Sequence, residues 1–301
     1  MMNFESFKEY VVAEVNHYVP DEVKGVPELS LVHKPNCTYT GLVLKKEEDE
    51  NKALPTVHLE AFYELYMDEG MERAMSEMAK VLSMTPPQET PFDKILQSWD
   101  TAKEYLAVRV LDYERNKILL EDGPGEAREG LLFIYTLNLR AEDGDGFYSA
   151  RINNGILEKL GISEEILKEQ ALDQMAKISP VNIMPLDEMM TVVSNQDNNL
   201  GAAALFYPGV MEEVAGMMGS FYAVPSSIHE WMCIKEEKTE PEMLLSLLRE
   251  TNKSGFAVKE LDVLSDNLYH YDAELKRFER VFFEEDFRPV TSTLKGGVLY
   301  A

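Results

Sequence analysis

The chain is poor in cysteine, in basic residues and in long apolar runs. Of its 301 residues, two are cysteine, Cys37 and Cys233. That is too few for the disulfide frameworks of small secreted domains, so reduced thiols and a cytoplasmic setting are expected. The first residues lack a basic segment followed by an apolar one, and Glu5 and Glu9 break the opening pattern, so no export signal is expected. The apolar stretches at 131–137 and 202–211 fall well short of the ~18–20 residues that cross a bilayer, so no membrane span is expected. Lys and Arg number 29 against 54 Asp and Glu, a formal charge of −25. Contact with a phosphate backbone depends on Lys and Arg displacing counterions, which argues against direct nucleic-acid binding. A protein partner suits this charge better, although an acidic excess also simply keeps a chain soluble.

What is present is a globular composition. With 45% hydrophobic and 28% charged residues, the chain can bury one large core or two ordinary ones. Phe4, Phe7, Val11, Val15 and Tyr18 recur at helical steps and predict an amphipathic opening helix. Short strands are expected at 29–32, 40–44 and 55–59, then helices at 60–69 and 71–82 parted by Gly70. Three prolines at positions 86, 87 and 91 mark residues 84–93 as a linker or loop, dividing an N-terminal part, 1–83, from a C-terminal one, 94–301.

Beyond it, strands are expected at 107–111 and 131–139. A turn at 141–146 makes a hairpin with 147–152. Helices at 154–160 and 163–178 follow, Asn153 or Asn154 being the cap of the first. The last third reads as strands at 191–194, 202–206, 221–224 and 231–234, helices at 209–217 and 241–251, and a hairpin over 268–282. This mixed order, without regular strand–helix alternation, predicts an α+β fold with largely antiparallel sheets and flanking helices.

The phosphate-loop, dinucleotide and nucleophile-elbow motifs are all missing. Asp143-Gly144-Asp145-Gly146 lacks the remaining ligands of a calcium loop and reads as a turn. No cofactor and no metal ligand is assigned. The most suggestive stretch runs Pro225-Ser226-Ser227-Ile228-His229-Glu230-Trp231-Met232-Cys233. Were it helical, His229 and Cys233 would share a face around Glu230, a distant variant of a zinc-protease motif. Its apolar second half suits a strand better. A hydrolase-like reading draws on Ser226, Ser227, His229 and Glu230, with Asn195 or Asp266 as the third group. The plainer reading has the serines closing a turn and His229 hydrogen-bonding locally. Among the sixteen methionines, Met67, Met71, Met75, Met78 and the pair Met217-Met218 could mark an adaptable binding surface, but core packing explains them more cheaply.

These residues also carry a resemblance. Thr40-Gly41-Leu42-Val43-Leu44, Pro55-Thr56-Val57-His58-Leu59 with Tyr63-Glu64-Leu65-Tyr66, and Arg109-Val110-Leu111-Asp112-Tyr113-Glu114-Arg115-Asn116 all resemble the bacterial domain-of-unknown-function family numbered 5688. So do Gly201-Ala202-Ala203-Ala204-Leu205-Phe206-Tyr207-Pro208, Pro225-Ser226-Ser227-Ile228-His229-Glu230 and Leu264-Ser265-Asp266-Asn267-Leu268-Tyr269. The resemblance implies an intracellular bacterial protein without an assigned activity.

Three functional expectations follow. The first is a non-catalytic interaction or regulatory protein that uses its acidic surface or a sheet edge. The second is the hydrolase-like enzyme. The third is a nucleic-acid mimic, whose carboxylates would form a continuous stripe for a basic protein.

Overall fold

The computed structural model describes residues 1–46, 54–85, 90–140 and 147–283. The chain opens with α1 (Phe4–Glu14), β1 (Val26–Lys34), β2 (Cys37–Lys45) and β3 (Val57–His58). Next come α2 (Leu59–Glu69), α3 (Met71–Leu82), α4 (Pro91–Ile95) and α5 (Trp99–Ala102). The middle holds β4 (Leu106–Asp112), α6 (Tyr113–Asn116), β5 (Gly125–Arg128), β6 (Leu131–Arg140), β7 (Phe147–Arg151), α7 (Asn154–Leu160) and α8 (Glu164–Ile178). The last part contains β8 (Val181–Pro185), β9 (Met190–Asn195), α9 (Val210–Met218), β10 (Phe221–Ser227) and β11 (Glu230–Lys235). It ends with α10 (Pro241–Ser254), β12 (Tyr269–Asp272) and β13 (Arg277–Arg280). The strands form sheets ordered β1-β2-β3, β4-β6-β5 with β7 on β6, and β13-β12-β10-β11-β9-β8. The fold is α+β with antiparallel sheets, as the mixed element order predicts.

Two compact units divide the chain. One comprises Met1–Ala107, Tyr113–Gly125 and Ile134–Lys168; the other comprises Val108–Asp112, Glu126–Phe133 and Glu169–Ala301. In the first unit, Asn3 Oδ1 accepts the Ser6 N–H at 2.9 Å and starts α1. The predicted stripe of α1 lies against the small sheet: Phe7, Val11 and Val15 pack with Leu42, Leu44, Val57 and Leu59. Met75 and Met78 of α3 complete that core, whereas Met67 and Met217 are exposed. The expected linker is described only at its ends. Pro86 and Pro87 lie outside the described residues, and Pro91 opens α4 behind a Thr90–Asp93 capping box. The expected turn at 141–146 also lies outside them, but its strands β6 and β7 do pair, from Thr136↔Arg151 to Arg140↔Phe147.

In the second unit, α10 buries Leu244, Leu245 and Leu248 and packs with Leu268 beside the six-stranded sheet. At its centre Trp231 meets Phe206, Tyr269 and Phe278 edge-on, at ring-centroid distances of 5.9, 5.4 and 6.0 Å. Residues 202–206, expected as a strand, instead form a 3-10 turn, Gly201–Phe206. The reason is size: Gly201, Ala202, Ala203 and Ala204 are all buried, and only such small residues let a tight turn press against β9 and β11. β8, which has no alternation to reveal it, pairs with β9 from Val181↔Asn195 to Pro185↔Thr191.

Candidate functional site

The stretch singled out in the sequence is a hairpin end. β10 and β11 pair from Phe221↔Lys235 to Val224↔Met232, slip at Pro225-Ser226, and close with Ser227↔Glu230 around Ile228-His229. Pro225 has no N–H to give the ladder, which accounts for a bulge at that point. The strand reading of residues 231–234 holds, so His229 sits in the turn and Cys233 in the sheet interior, fully buried.

The polar groups at this turn are bound to backbone or to one another. The His229 N–H donates to Ser227 Oγ at 3.1 Å, and Ser226 Oγ donates to Glu230 Oε1 at 3.1 Å. Ser194 Oγ donates to the His229 carbonyl at 2.8 Å. The Ile228 N–H donates to the Asp262 carbonyl at 2.8 Å, and the Ala202 N–H to the Ile228 carbonyl at 3.2 Å. Trp231 Nε1 donates to the Ala202 carbonyl at 2.7 Å. The imidazole itself accepts the Leu200 N–H on Nδ1 at 3.0 Å, which leaves the proton of the neutral ring on Nε2. Leu200 stands at φ +53°, a left-handed conformation that costs a branched side chain ~1–2 kcal/mol. His229 therefore holds a strained residue in place.

The structure brings Ser226, Ser227, His229 and Glu230 together and adds Asp262, whose Oδ1 is 3.6 Å from His229 Nε2. That is an electrostatic contact, too long for a hydrogen bond. It does not put a serine hydroxyl on the imidazole, the arrangement that activates a nucleophile. Nor does it bring in Asp266, which accepts from Asn252 Nδ2 at 2.9 Å. Asn195 is buried and closes its own loop with Asn199, donating to its carbonyl at 2.9 Å and accepting its N–H at 3.2 Å. Among the described residues no group of three or more His, Cys, Asp or Glu side chains could hold a metal ion.

Burial pushes the Cys233 thiol well above its ordinary pKa. The thiolate is the reactive form, so Cys233 is expected to be inert to 5,5′-dithiobis(2-nitrobenzoate) in the folded chain. One equivalent, from half-buried Cys37, should react before unfolding and the second only after it; two fast equivalents would contradict the burial.

Sequence reasoning missed two grooves of the second unit. One, of about 550 Å³, is lined by Glu129, Tyr222, Glu236, His270, Glu279 and Arg280 among others. There His270 Nε2 lies 3.4 Å from Glu236 Oε1, without hydrogen-bond alignment. The other, of about 570 Å³, is lined by Phe206, Tyr271 and Phe278 together with Arg128, Glu212 and Lys276. Glu129 borders both. It and Gly130 have φ of +51° and +79°, the two-residue turn that joins β5 to β6, and its carboxylate accepts the Arg280 N–H at 3.0 Å. The Glu-Gly dipeptide is the sequence signal that could have found this corner.

The sheets, the aromatic centre and the backbone-tied turn define an α+β protein whose most polar turn is built as a latch. The chain belongs to the Family of unknown function (DUF5688), whose model matches residues 4–191 and 186–273. No curated protein and no solved structure matches it.

Proposed function

We propose that this protein works in the bacterial cytoplasm by binding another protein through its acidic surface, without catalysis. One observation carries the reading. The groups most suited to chemistry are already bonded: Ser226 to Glu230 and Ser227 to the His229 N–H within the turn, and the His229 imidazole to the Leu200 N–H, which with the Ser194–His229 carbonyl bond ties the turn to residues 194–202. With Nδ1 taken by the Leu200 N–H and no serine hydroxyl hydrogen-bonded to the ring, the imidazole is not placed to take a serine proton as a general base. The surplus of 25 negative charges then supplies what a binding protein needs, attraction and steering toward a cationic face. No helix among the described residues is long and apolar enough to cross a membrane, which fits this setting.

The test is affinity capture with the full-length chain in bacterial cytosol, repeated over a salt series. Basic proteins should be retained at ~0.1 M salt and released toward ~1 M, as the screening length shrinks from about 10 to about 3 Å. Capture by a His229→Asn variant should be unchanged. Turnover of acyl- or phosphoryl-ester substrates that the wild type performs and a folded His229→Asn variant loses would overturn the proposal.

A further inference from the structure

β1 is the outer strand of its sheet, with β2 as its one strand neighbour, and residues 117–121 also approach it. It is nine residues long and stays in register with β2 from Val26↔Lys45 to Lys34↔Cys37 without a bulge. An edge strand turns half of its N–H and C=O groups outward. Among the described residues, nothing hydrogen-bonds to the outward backbone groups of residues 26–34. Its apolar side chains are also uncovered: Val26, Leu29 and Leu31 are 66%, 40% and 67% exposed. Monomeric proteins shorten, bulge or charge such an edge, because it is a template for another strand; β1 is neither short nor bulged, and its charges, Glu28 and Lys34, are of opposite sign.

We propose that two copies of this chain pair β1 against β1, antiparallel, across a two-fold axis at Leu31. The two three-stranded sheets then form one six-stranded sheet. The sequence of the strand selects both the occupant and the register. Glu28 and Lys34 each lie three residues from Leu31, so this register sets Glu28, which also stands 3.5 Å from Lys45 of its own chain, opposite the partner's Lys34 twice. Moving the axis to Ser30 would put Glu28 against Val32 and Lys34 against Val26, and both ion pairs would be lost. The paired block, 28–34, leaves out Pro27, which has no N–H to offer the ladder. It also stops before Asn36, whose N–H is already held by Asn116 Oδ1 at 2.7 Å. Glu28 and Lys34 cancel, so the strand is locally neutral in a chain that otherwise repels its own copies. A strand from an unrelated protein would need only an extended backbone, whereas this symmetric placement of opposite charges is what a second copy answers. The inference stands apart from the acidic-surface reading above.

Sedimentation velocity of the full-length chain tests it. A paired strand alone is a small interface, so a reversible monomer–dimer equilibrium in the micromolar range is expected. Leu31→Lys should abolish the dimer. Glu28→Lys should weaken it about tenfold, by setting two lysine pairs face to face. The double swap Glu28→Lys with Lys34→Glu should restore it, since the ion pairs re-form with the charges exchanged. In a Cys37→Ser background, Leu31→Cys should oxidise to a covalent dimer faster than Val26→Cys, because position 31 faces itself. Circular dichroism checks that each exposed-site variant is folded. A chain that stays monomeric, or a dimer indifferent to Leu31→Lys and Glu28→Lys, would overturn the proposal. Failure of the double swap to rescue would overturn the register and the choice of a second copy as occupant.

Discussion

Gly201→Ala is expected to destabilise the second unit by roughly 3 kcal/mol or more, measured by urea unfolding with tryptophan fluorescence. The effect comes from contact distance. A Cβ at position 201 would stand 2.3 Å from Ser194 Oγ, 2.5 Å from the His229 carbonyl oxygen and 2.7 Å from the Asn195 nitrogen. Two of these are backbone atoms, one on β9 and one in the β10–β11 turn, and neither can swing aside as a flexible side chain would. Relieving the clash means separating the turn from residues 194–202. That disturbs the Leu200–His229 and Ser194–His229 hydrogen bonds together. Loss of less than ~1 kcal/mol would show that the two segments are not pressed together as described.

Trp231→Ala should cost a similar amount, about 3–5 kcal/mol, measured by urea unfolding followed by circular dichroism because the remaining tryptophan, Trp99, lies in the first unit. Trp231 is fully buried, and its loss opens a cavity at the meeting point of Phe206, Tyr269 and Phe278. It also leaves the Ala202 carbonyl without the Nε1 donor at 2.7 Å. Trp231→Phe separates the two contributions, since it keeps most of the aromatic packing and removes only the donor. It should cost about 1–3 kcal/mol, the penalty for an unmet buried acceptor with a small packing change. Equal losses for the two variants would mean that packing contributes nothing beyond the hydrogen bond.

Much of the fold was legible because its signals are local. The α1 stripe, the division of α2 from α3 at Gly70, the β6–β7 hairpin and the Asn153 cap of α7 depend on spacing and capping that lie within a few residues. Residues 202–206 misled because a run of alanines and Leu-Phe fits a buried strand as well as a 3-10 turn. What decides between them is the space beside β9 and β11, which only tertiary packing reveals. The β10–β11 hairpin escaped for a related reason. Ile228-His229 carries none of the Asn-Gly chemistry that usually marks a two-residue turn, and its conformation is held from outside by Ser194, Ala202 and Asp262.

The candidate site was legible as a set of residue types and illegible as a set of roles. Ser226, Ser227, His229 and Glu230 are neighbours in sequence and remain so in space, but hydroxyl, imidazole and carboxylate groups mark a latch as readily as a catalyst. The groups that decide are the Leu200 N–H and the His229 carbonyl. Backbone atoms are present at every position, so no residue type announces that one of them is a partner. The grooves around Glu129 were hidden for another reason, since their walls come from five separate stretches of the chain.

The central claim is that His229 is a structural partner of Leu200 and not a catalytic group. It is tested most directly by urea unfolding of His229→Ala beside His229→Asn. The latch predicts that alanine costs roughly 1–3 kcal/mol, because the Leu200 N–H and its left-handed backbone lose their acceptor. Asparagine, whose side-chain oxygen falls near the position of Nδ1, should recover at least half of that loss. Active-site groups commonly lower stability, so their removal leaves the fold unchanged or firmer. An alanine variant as stable as the wild type, or more stable, would contradict the account.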